Sequence, residues 1–169
     1  LDTSVISLSS LKGNLADTLD LAKEALINPT FPQAEIDRIK SQTLASIVQE
    51  ENRPASIAYR NIGKLLYGDT HPYGKPLTGS GLSNTISSIT RKNIIDLHAR
   101  ALSPDNLTFA VAGDIDLETL VDLLENKFGS WRGNSITKLK ALTTVALPTQ
   151  RTVYLIDKPN AQQSFIVAG

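Results

Sequence analysis

Few side chains in this sequence have the chemistry to bind a metal or to transfer a proton. The chain has 169 residues with two histidines and no cysteine, which excludes thiolate ligands and disulfides. We interpret His71 in "HPYG" as a turn residue, because it is followed by Pro72 and Gly74. His98 follows Leu97 in a helical pattern, and we expect it to be partly exposed or hydrogen-bonded. HExxH, HxxEH, GxSxG, the P-loop and the Gly-rich dinucleotide fingerprint do not occur.

The remaining candidate residues have structural interpretations. The adjacent Glu50 and Glu51 are interpreted as a solvated helix end, and Trp131 as a core or interface anchor. Seventeen basic and seventeen acidic residues leave no net charge, so the composition does not indicate nucleic acid or an anionic membrane as a partner. No apolar segment reaches the length needed to span a bilayer.

Hydrophobic periodicity predicts the elements that position these side chains. Five helices are expected, in residues 14–28, 32–54, 55–68, 90–102 and 116–128, and the 68–81 region between them reads as a loop. Their apolar stripes include Leu19, Leu26, Ile36, Ile47 and Leu97. Strands are expected in residues 3–11, 106–114, 151–157 and 162–169. Because "NLTFAVAGD" is apolar at both Phe109 and Val111, we expect it to be a buried central strand. This order predicts an α+β fold, with a sheet layer covered by helices.

The domain organisation is predicted from one change in amino-acid composition along the chain. Residues 134–150 are polar and Thr-rich and end near a proline, which is typical of an interdomain linker. Residues 1–133 then form one domain, and residues 151–169 the first strands of a second. The chain starts at Leu1 and stops at Gly169 within an apolar run, so we expect a fragment of a longer protein.

Four segments together resemble a known family. They are "NLADTLDLAKEALINPTFPQAEIDRIK", "LLYGDTHPYGKPLTGS", "ITRKNIIDLHARALSPDNLTFAVAGDID" and "LLENKFGSWRG". In order and spacing they resemble the M16 zinc peptidases, the pitrilysin, insulinase and mitochondrial processing peptidase type. The resemblance covers roughly residues 5–133 and departs at Leu102, where the family usually has an aromatic residue. It implies a LuxS/M16-like metalloenzyme fold.

The resemblance also implies that the metal-binding positions have changed. Catalytic members carry HxxEH on an upstream helix and two glutamates seven residues apart on a later one, which complete and support the zinc site. The corresponding positions are Ile39 and Ser46, and neither offers Zn²⁺ a carboxylate. Glu35 and Glu50 each lie four residues away, displaced by about 5–6 Å along the helix, whereas metal sites tolerate only about 0.2 Å. We therefore predict no catalytic residue and no metal ligand; substrate-binding residues stay unknown.

Three functions remain as hypotheses. The first is a non-catalytic half of an M16 metallopeptidase, which forms the peptide chamber while a homologous partner or half carries the zinc. The second is an active half whose HxxEH lies upstream, which Ser46 argues against. The third is a structural or assembly subunit without proteolysis. The expected partners are a homologous M16 half or subunit and a peptide substrate; the compartment stays open, with a bacterial periplasm favoured.

Overall fold

The described part of the structure is helical. The computed structural model describes residues 4–133, 144–146 and 149–169. Its α-helices are α1 (Leu15–Ile27), α2 (Gln33–Glu50), α3 (Pro54–Tyr67), α4 (Ser83–Ser88), α5 (Arg91–Ala101) and α6 (Leu117–Phe128). Three short 3-10 turns accompany them, at Lys12–Asn14, Pro72–Gly74 and Pro104–Asn106. None of the helices in these ranges is both long and apolar enough to cross a membrane.

The predicted sheet is absent from the described residues, so the α+β prediction is wrong for this structure. Residues 4–10, 107–112, 151–157 and 164–169 carry no regular secondary structure. Phe109 and Val111, which were expected to be buried, are 41% and 48% exposed. The physical reason is that a strand forms hydrogen bonds only with a neighbouring strand. β-propensity in one segment describes how it would fit a half-buried sheet, and it supplies no partner.

The chain divides into two compact units. The first comprises Leu1–Phe31 with Lys92–Lys138, and the second comprises Pro32–Arg91 with Leu139–Gly169. The predicted linker 134–150 lies mostly outside the described residues, and the assignment of residues 151–169 to a second domain stays a prediction.

The first unit has a small core between α1 and α6. Leu19 and Leu26 of α1 are buried against Phe128 at the end of α6. Their spacing on α1 follows the helical period, which is why the sequence pattern predicted them. Trp131 packs against this cluster, so its interpretation as a core anchor is confirmed.

The second unit is organised around α2. Ile36 and Ile47 are buried, as their periodicity predicted, and Ile47 is fully inaccessible to solvent. The Lys40 ammonium donates to the carbonyl oxygens of Ser87 and Ile89, at 2.9 and 2.8 Å. These bonds tie α2 to the last turn of α4 and satisfy carbonyls that a helix end leaves without a partner.

Helix α3 packs closely on the "HPYG" turn. A Cβ added at Gly63 of α3 would lie 2.6 Å from the Tyr73 carbonyl oxygen and 2.7 Å from that of Lys75. The Leu77 amide also donates to the Tyr59 carbonyl, at 3.2 Å. Only a glycine fits at position 63, because a side chain there would displace the loop backbone.

Candidate functional site

The positions at which the resemblance places metal ligands lie on the solvent-facing side of α2. Ile39 is 53% exposed and Ser46 is also exposed, whereas Ile36 and Ile47 of the same helix are buried. Seven residues correspond to nearly two helical turns, so Ile39 and Ser46 share one face. The structure therefore brings the two positions together on a surface, where they present a hydrocarbon and a hydroxyl.

The donor set of α2 does not fit zinc. A structural or catalytic zinc site takes imidazole, thiolate or ionised carboxylate ligands, and neither Ile39 nor Ser46 offers one. Within residues 4–133, 144–146 and 149–169, no three His, Asp or Glu side chains gather in a way that would hold a metal ion. Glu35 is engaged in another interaction, since Arg38 donates to its carboxylate through Nε at 2.8 Å.

Glu50 lies in a part-buried ion pair at the end of α2. Arg60 of α3 donates from Nη1 to Glu50 Oε2 at 2.7 Å, and Ser80 Oγ donates to the same oxygen at 2.7 Å. Arg60 also donates to Ser80 Oγ at 2.7 Å and, from Nη2, to the Gly81 carbonyl at 3.0 Å. We call Glu50, Arg60, Ser80 and Gly81 the Glu50 cluster. The predicted solvated helix end is thus wrong for Glu50, whereas Glu51 is exposed as expected.

The environment of Glu50 favours its charged form. Burial by itself would raise the pKa of this carboxyl group. Hydrogen bonds from Ser80, Arg60 and Thr78, together with the Arg60 charge, outweigh burial and lower the pKa below its ordinary value. Through Oε2, the Glu50 carboxylate connects α2 to Arg60 of α3 and to Ser80 of the loop that follows α3. This oxygen is engaged in interactions within the protein.

Sequence reasoning missed Arg60 and Ser80 as partners of Glu50. They lie ten and thirty residues further along the chain, so no helical or strand period relates the three. The available signal was chemical: Arg60 lies among apolar residues of an amphipathic helix, and a buried arginine needs a carboxylate.

The two histidines have structural surroundings. His71 is buried, and its Nδ1 accepts a hydrogen bond from the Tyr73 amide at 3.1 Å. Its ring stacks on Tyr67 with a centroid distance of 5.2 Å, so the interpretation as a turn residue is confirmed. His98 Nε2 lies 2.8 Å from the Leu26 carbonyl oxygen, and the side chain is half-buried. Its predicted hydrogen-bonded state is therefore also confirmed.

Comparison with known proteins gives a consistent picture. Residues 88–169 match the family model described as the peptidase M16 inactive domain. An uncharacterized zinc protease of Mycobacterium leprae is 27% identical over 120 residues, which are 71% of this chain and 26% of the relative. Non-peptidase homolog YmxG of Helicobacter pylori is 27% identical over 124 residues, which are 72% of this chain and 27% of the relative. The chain thus spans about a quarter of the length of these curated relatives.

A solved structure supports the same assignment at the level of the fold. The periplasmic protease PqqL from Escherichia coli is similar with a TM-score of 0.67 and 20% sequence identity. The similarity covers 81% of this chain and 15% of PqqL. At this identity the likeness concerns the fold alone. The match of residues 88–169 to the inactive-domain model, with zinc proteases among the relatives, supports an M16-family domain of the inactive type in this chain.

Proposed function

We propose that this chain is part of a non-catalytic M16 half, which forms one wall of a peptide chamber and supports cleavage by a zinc-bearing partner or half. The observation that carries the proposal is the exposed face of α2 with Ile39 and Ser46, the residues that the family resemblance aligns with the two glutamates. The match to an inactive-domain model and the similarity to a relative named a non-peptidase homolog agree with it.

The scaffold around this face is intact. The Glu50 cluster fixes the end of α2 against α3, and Ile36 and Ile47, on the neighbouring face of α2, are buried. A helix retained in this way keeps its surface in a defined position without a metal. The change from carboxylates to Ile39 and Ser46 therefore removes zinc chemistry and preserves the geometry of a wall.

A wall of this kind can raise the rate of cleavage at a distant metal. Contacts with remote parts of an extended peptide supply binding energy that holds the scissile bond in place, and such positioning lowers the barrier to reaction. In this proposal residues 134–150 are the linker to a second M16-like domain that begins at residues 151–169. Zinc belongs to the partner or half that carries HxxEH.

The proposal is tested by reconstitution. The zinc-bearing M16 partner is assayed with and without the full-length protein that contains this chain, on unstructured peptides of about ten to thirty residues, which at about 3.3 Å per residue span a chamber. We expect kcat/KM to fall without this half, most strongly for the longer peptides. Equal kcat/KM in both preparations for every length would refute the chamber wall and favour a purely structural role.

A second measurement concerns zinc itself. We expect the zinc content of the full-length protein to be the same in the wild type and in the Glu35→Gln and Ser46→Ala variants, because α2 contributes no ligand. Elemental analysis after gel filtration measures the stoichiometry. Loss of one zinc per chain in either variant would contradict the assignment of α2 as a face without metal.

A further inference from the structure

We draw no further inference here: the strongest candidate, the cavity of about 140 Å³ that His98 of α5 and Trp131 line in the first unit, adjoins at Gly133 residues outside the described ranges, and nothing in the structure shows what covers it.

Discussion

Removing Arg60 tests whether the Glu50 cluster holds the second unit together. The side chains of Arg60 and Glu50 are 9% and 18% exposed, and Arg60 Nη1 lies 2.7 Å from Glu50 Oε2. At an effective dielectric constant of about 20 the attraction at this distance is about 6 kcal/mol, and the cost of taking both charges out of water offsets much of it. Removing one partner of a buried pair costs about 3–5 kcal/mol, because the other charge stays buried. Since Glu50 keeps the Ser80 hydroxyl, we expect Arg60→Met to cost about 3 kcal/mol of unfolding free energy.

The assay is urea denaturation followed by far-UV circular dichroism, which reports on the helices directly. The matched control is Arg38→Met on α2, because Arg38 and Glu35 form an ion pair at 2.7 Å with side chains that are 52% and 55% exposed. Exposed pairs contribute little to stability, so the urea midpoint of this variant should stay close to that of the wild type.

A double-mutant cycle separates the pair from its surroundings. Glu50→Gln and Glu50→Gln with Arg60→Met complete the cycle, and we expect a coupling free energy of about 1–3 kcal/mol between the two sites. A cost for Arg60→Met no greater than that for Arg38→Met, or a coupling near zero, would refute the role given to the Glu50 cluster.

Three further predictions follow from neighbouring features. The pKa of Glu50 is lowered in the folded state, so its charged form stabilises the fold above the unfolded-state pKa of about 4.5, and this stabilisation is lost as pH falls through the lower folded-state pKa. The difference in unfolding free energy between the wild type and Glu50→Gln, measured by urea titration, should therefore be smaller at pH 3 than at pH 7. Ile47→Ala should cost about 3 kcal/mol, since Ile47 is fully buried, whereas Ile39→Ala on the same helix should cost less than about 0.5 kcal/mol; equal costs would show that the metal-face position is structural. Gly63→Ala should lower the melting temperature through a clash with two backbone carbonyls, and Gly13→Ala, which meets no atom within 4 Å, should not.

The sequence was sufficient for features that depend on neighbouring residues. Helix α6 was expected at 116–128 and is observed at Leu117–Phe128, with the Asp116 side chain accepting from the Thr119 amide and Gly129 at the end. Capping and the helical period both act within about four residues, so one segment contains the whole signal.

Features that depend on distant residues could not be predicted in the same way. Phe109 and Val111 have strong strand propensity, but propensity does not supply the neighbouring strand that a sheet requires. Leu97 belongs to the apolar stripe that was expected to be buried on α5, and it is 59% exposed. The same contrast between local and distant features holds at the candidate site. The shared face of Ile39 and Ser46 follows from their spacing in the sequence, whereas the partners of Glu50 could not be predicted from spacing.

The exposure of Ile39 and Ser46 on α2 explains how these two residues can change without loss of the fold. Substitution at exposed positions such as 39 and 46 usually changes the unfolding free energy by no more than about 0.5 kcal/mol. Glu50 lies on the same helix, one turn beyond Ser46, but it is half-buried and paired with Arg60. Its loss would leave the part-buried Arg60 guanidinium with the more distant Glu51 carboxylate, whose Oε1 lies 3.9 Å from Nη2, and would cost a substantial share of the stability of a domain. Positions 39 and 46 therefore tolerate side chains of any chemistry, whereas Glu50, one turn away, is constrained by its ion pair.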